Sequence, residues 1–144
     1  MNVVAFNGSP RKGGNTTQML AILLQTLQRA GIKTEEIRVC PGRPRGCTAC
    51  MGCAENKDRR CTIDSDPVND WIAQMIDADG IVFASPTYFG SVSAEMKALI
   101  DRAGLVARVN GNLFRRKVGA AVVAVRRGGA IDRKSTRLNS SHYS

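Results

Sequence analysis

Short apolar runs alternate with amphipathic segments along most of this chain, and that order restricts the fold more than any other feature. Val3 to Phe6 is apolar without a polar–apolar alternation, as a buried strand would be. Thr17 to Ala30 follows as a predicted helix. Its Leu20, Leu23, Leu24 and Leu27 fall on one face, Asn15 stands as its N-cap and Gly31 ends it. Lys33 to Val39 reads as a second strand, with Ile37 and Val39 alternating. Pro67 to Ala78 reads as a helix burying Val68, Trp71, Ile72, Met75 and Ile76. Gly80 to Ala84 is a third strand, Ser93 to Ala103 a helix, and Val118 to Val125 a fourth strand apolar on both faces. Strands without alternation belong to parallel sheets covered on both sides. The order therefore predicts an α/β fold with an open, doubly wound parallel sheet and right-handed crossovers.

Such sheets bind ligands at the carboxyl ends of their strands. That rule selects three loops: Gly8 to Asn15, Ser85 to Ser91, and Arg126 to Ala130. The first, NGSPRKGGNTT, precedes a helix whose free N–H groups favour a phosphate. Ser9, Thr16 and Thr17 add hydroxyls, and Arg11 and Lys12 add charge. A Walker A loop would place Lys after Gly13, where the chain has Gly14, and the dinucleotide pattern G-x-G-x-x-G is also unmet. A terminal phosphomonoester, as in FMN, suits the loop better; the plainer alternative is a structural Gly-rich turn. In the second loop, Pro86, Thr87, Tyr88, Phe89 and Gly90 offer a shelf for a flat apolar ring. The alternative is a plain strand–helix connection with both aromatics packed inward.

Pro41 to Asp66 is predicted to be a long loop, and loops of that length in a small domain are usually functional. It carries GCTACMGC, with Cys47, Cys50 and Cys53 three apart and Cys61 beyond. A disulfide framework does not suit a chain read as cytoplasmic. Zinc held by four thiolates usually has its pairs further apart. The compact C-x2-C-x2-C with a nearby fourth cysteine suits a cubane iron–sulfur cluster. Free or redox-active thiols complete the alternatives. Because the second strand ends on the same edge as the other loops, a cluster here is expected to lie within electron-transfer reach of a flavin. Cys40 is surplus to the pattern.

The formal charge of +9 raises the question of nucleic acid. The cations are dispersed, however, and aromatics make up 5% of the chain, so a nucleic-acid reader is not expected. No apolar run reaches membrane-spanning length, and MNVVAFNGSP is not a secretory signal. A cytoplasmic protein is expected. DRKSTRLNSSHYS, residues 132–144, has no apolar period. Asp132 to His142 resembles one reading frame of a sequencing-adapter oligonucleotide. Residues 1–131 are thus read as the domain and 132–144 as a non-native tail, with no functional weight on His142.

Together, NGSPRKGGNT, SPTYFG with SAEMK and the following DR, and VRRGGA resemble the NADPH-dependent FMN reductase and iron–sulfur flavoprotein superfamily. The match runs from Met1 to about Ile131. The resemblance implies a flavodoxin-like fold, of which four of five strands are counted here, so the domain is expected to be truncated at its C-terminus. It implies that Ser9, Arg11, Gly14, Asn15, Thr16 and Thr17 hold the FMN phosphate and that Pro86 to Gly90 contact the isoalloxazine. It also implies a [4Fe–4S] cluster on Cys47, Cys50, Cys53 and Cys61, NAD(P)H as co-substrate, and a homodimer or homotetramer. The electron partner would be a small acceptor or a ferredoxin-like donor. The expected function is an FMN-dependent oxidoreductase with no assigned side-chain acid or base. A flavodoxin-type carrier is the alternative, against which the basic charge weighs.

Overall fold

The computed structural model describes residues 1–126. Its elements are β1 (Asn2–Asn7), α1 (Asn15–Arg29), β2 (Lys33–Arg38), a 3-10 turn (Cys40–Gly42), α2 (Gly52–Asn56), α3 (Val68–Asp77), β3 (Gly80–Pro86), α4 (Ala94–Val109) and β4 (Val118–Ala124). The four strands form one parallel sheet in the order β2-β1-β3-β4, the flavodoxin-like arrangement expected from the sequence. The boundary expected at residue 131, the tail beyond it, and the loop Arg126 to Ala130 past its first residue lie outside the described residues.

The pleat sends alternate β1 residues to opposite layers. Val3 and Ala5 join Val82, Ala84, Leu20 and Leu24 beneath α1. Val4 and Phe6 join Ile81, Trp71, Ile72, Met75, Met96 and Leu99 beneath α3 and α4. Phe6 is fully buried, with Trp71 edge-on at 6.3 Å and Phe83 stacked at 5.8 Å. Burying one such ring is worth about 1.5–3 kcal/mol. Among the described residues, no helix is long and apolar enough to cross a membrane.

Three element expectations need correction. Helix α1 begins at Asn15, and Gly14 takes the N-cap place with no side-chain cap. Helix α4 runs on to Val109, because Val106 and Ala107 continue its buried stripe past Gly104. The stretch from Pro41 to Asp66 is interrupted by the 3-10 turn and by α2, which carries the buried Cys53.

Candidate functional site

Strands β1 and β3 are hydrogen-bonded neighbours that pair Asn7 with Ala84, so their following loops leave the sheet side by side. The Gly8 amide donates to the Ala84 carbonyl at 2.7 Å. A Cβ on Gly8 would stand 2.9 Å from Ser93 Oγ and 3.0 Å from Met96, so only glycine lets the start of α4 approach this closely. Asn7, fully buried, sets the first loop. Its amide nitrogen donates to Thr17 Oγ1 at 3.0 Å and to Glu36 Oε1 at 2.8 Å, and its Oδ1 accepts from the Ser9 amide at 3.0 Å. Ser9 and Thr16 are buried against the helix start, while Arg11 and Asn15 are exposed at its mouth. Arg38 reaches in from the end of β2 and donates from Nη2 to the Ser9 and Pro10 carbonyls at 3.5 and 3.3 Å. The result is an amide-rich helix mouth beside hydroxyls and two guanidinium groups, a setting for a phosphate.

The second loop folds into a tight reversal. Tyr88 and Ser91 exchange backbone hydrogen bonds at 2.9 and 3.0 Å, and the two residues between them have positive φ, +46° at Phe89 and +79° at Gly90. Ser85 Oγ accepts from the Ser93 amide at 3.0 Å, and Ser93 Oγ accepts from the Met96 amide at 3.4 Å, which closes the loop onto α4. Both aromatics point outward: Tyr88 is 45% exposed and Phe89 fully so. The inward-packed alternative is therefore not what forms.

Cys47, Cys50, Cys53 and Cys61 line one cleft, with Arg102 and Val106 of α4 on its wall. All five cysteines of the chain are free thiols. Burial pushes the Cys53 thiol up, and Cys61, Cys50 and Cys47 push it further, so the four sulfurs lie within electrostatic reach of one another. Cys50 is drawn down by the Thr62 hydroxyl, 3.1 Å from its sulfur, and by the Gly52 amide. Among the described residues, no group of three or more His, Cys, Asp or Glu side chains is arranged to hold a metal ion. Cys40 stands apart at the end of β2, its Sγ 3.4 Å from the Gly8 carbonyl.

The cleft lies along the flank of α4. Arg102 and Val106 are about 12–18 Å along the helix axis from its start. A set of anchors holds the loop there. Asn69 accepts from the Cys61 amide at 2.7 Å, Asn110 donates to the Cys53 carbonyl at 3.1 Å, and Arg102 holds the closing stretch.

Arg102 is the site residue that sequence reading passed over. It is 1% exposed and bound by Asp66 through both carboxylate oxygens at 2.8 and 2.6 Å. Burial alone would raise the Asp66 carboxyl. Hydrogen bonds from Arg102 and from the Arg45 and Val68 amides outweigh that and hold it below the ordinary carboxylate range. The signal lay in the helical period, since a cation at 102 shares the stripe of Leu99, Ala103 and Val106. Asn7, the polar end of an apolar strand, and Arg38 were missed in the same way.

The profile of the NADPH-dependent FMN reductase family matches residues 1–142. An iron–sulfur flavoprotein of Methanocaldococcus jannaschii is 40% identical over 131 residues, 90% of this chain and 65% of that one. The iron–sulfur flavoprotein of Methanosarcina thermophila is 36% identical over 122 residues, 85% of this chain and 62% of that one. The chain thus spans slightly less than two thirds of these relatives' length. The fold matches that of an NAD(P)H:quinone oxidoreductase from Methanothermobacter marburgensis with a TM-score of 0.64 at 19% identity, over 85% of this chain and 62% of that one.

Proposed function

From the premise that the chain belongs to the NADPH-dependent FMN reductase family, we propose that it is an FMN-dependent oxidoreductase of the iron–sulfur flavoprotein kind, using NAD(P)H or a ferredoxin-like donor. The observation that carries this reading is the convergence of two loops, residues 8–17 and 85–93, on adjacent strands at one edge of the sheet. Ser9, Arg11, Gly14, Asn15, Thr16 and Thr17 would hold the phosphate, with Arg38 beside them. Pro86 to Gly90 would support the ring. FMN held there supplies hydride and single-electron chemistry, while the protein supplies position and electrostatics. Asn7 fixes the loop from below, so the phosphate meets donors already in place. Tyr88 and Phe89 cover apolar area next to the edge, where a substrate or a second subunit of a homodimer or homotetramer would close it.

The compact spacing of Cys47, Cys50, Cys53 and Cys61 and the cleft they share support a cluster over zinc. Cys47, Cys50, Cys53 and Cys61 would hold a [4Fe–4S] group, which supplies one-electron exchange.

Two measurements test the reading. Asn15→Ala should weaken FMN much more than riboflavin, which lacks the phosphate; equal loss for both would remove the phosphate assignment. Anaerobic purification with an iron count should find about four irons per chain, the content of such a cluster. Stoichiometric zinc and no iron would make the cleft a structural clasp.

A further inference from the structure

Beyond holding the loop, the geometry points to Arg102 as a positioning residue that sets the reduction potential of the cluster held by Cys61, with Asp66 as its counterweight. This rests on the cluster reading above. The Arg102 Nε–H donates to Cys61 Sγ at 3.3 Å. The two terminal nitrogens are both engaged: Nη1 by Asp66 and by the Arg45 carbonyl at 3.3 Å, and Nη2 by the Ile63 carbonyl at 2.6 Å. The fork is therefore held at both ends, with its Nε–H aimed at the sulfur. Arg102 has no exposed side-chain surface and Asp66 has 4%. Little water screens the charge they present to the cleft.

Packing alone does not call for a cation here. Replacing a buried ion pair by well-packed apolar side chains is often neutral or stabilising, and the neighbours on this face of α4 are apolar. A role toward the sulfur does explain it. One electron added to a cluster adds one negative charge, some of which falls on its thiolate ligands. A guanidinium donating to one of them favours the reduced state and raises the potential, because hydrogen bonds to the sulfurs are among the terms that set it. Asp66 offsets part of that charge. A loop pin and a potential-setting pair therefore make different predictions. Losing either half of a pin disturbs the site in one sense, whereas the two halves of the pair act with opposite sign.

The test uses the full chain, purified anaerobically, with iron counted and the cluster potential read by redox titration with EPR detection. Arg102→Met should lower the potential and Asp66→Asn should raise it, at wild-type iron content. Arg102→Lys, which keeps the charge without the aimed Nε–H, should fall between Arg102→Met and wild type. Shifts of the same sign, no shift, or loss of iron from both Arg102→Met and Asp66→Asn would overturn the inference in favour of a simple pin. If only Arg102→Met loses iron, Asp66→Asn decides: a rise supports the inference, and no change or a fall overturns it. If only Asp66→Asn does, the fall in Arg102→Met and its partial recovery in Arg102→Lys decide in the same way. A wild-type chain without iron removes the cluster reading and this inference together. Iron present with unmoved potentials removes this inference alone.

Discussion

Asn7 and Asp66 each hold several partners with one small side chain, and each lends itself to a test. Asn7→Leu keeps the branched shape but leaves the Ser9 amide and Thr17 hydroxyl without their partner. Unmatched buried groups of this kind cost about 1–3 kcal/mol. A urea titration should show a loss of that size, and an unchanged midpoint would mean that the loop relaxes around the vacancy. For Asp66 the folded carboxyl titrates below the ordinary 3.8. Its contribution to stability is therefore fully present above that value and lost as pH falls through the depressed folded value. The urea midpoint of wild type should fall more steeply below pH 3.8 than that of Asp66→Asn. Parallel curves would show that the pair contributes no acid sensitivity.

At the scale of elements, α2 depends on one close contact. A Cβ on Gly52 would stand 2.4 Å from Thr62 Cγ2, so Gly52→Ala should push α2, and Cys53 with it, away from the cleft. Overpacking of this kind costs about 1–3 kcal/mol. Thr62→Ser removes the methyl and keeps the hydroxyl beside Cys50, so it should restore most of the stability and iron content in the double variant. Strict additivity of the two changes would show that the contact is not the cause. The turn at Phe89 and Gly90 carries a different strain. Both residues adopt the positive φ that an Asn-Gly turn takes easily, and Phe89 is fully exposed. Phe89→Asn should raise the melting temperature while weakening flavin binding. A gain in both would show that the ring has no part in the site. These two elements also mark where sequence reading works and where it stops. The strands β1 and β3 and the helices α1 and α3 are legible because their apolar spacing alone decides them. Helix α2, five residues long, is not, because it exists through Gly52 on Thr62 and Asn110 on Cys53. Cysteine spacing points to a common site, but Arg102 beside it shows only once α4 is packed, because a lone cation in an apolar stripe does not reveal what it faces.

For the whole molecule, the two edges of the sheet are unlike. Strand β2, KTEEIR, places Lys33, Glu35, Glu36 and Arg38 along one edge, the usual protection against strand addition. Strand β4, VGAAVVA, forms the other edge among the described residues and has no charge, with Val118 to Ala121 exposed. A row of free backbone donors and acceptors without charge invites pairing with another copy. The 144-residue chain should therefore associate as its concentration rises, which light scattering after size exclusion would follow. Ala121 pairs with Phe83 in register and is exposed, so Ala121→Lys places a charge on this edge without filling the core. That variant should remain closer to monomeric at concentrations where wild type associates, with an unchanged far-ultraviolet circular dichroism spectrum. If it associates as readily as wild type, the adhesive surface lies elsewhere, and the exposed pair Tyr88 and Phe89 becomes the next surface to charge.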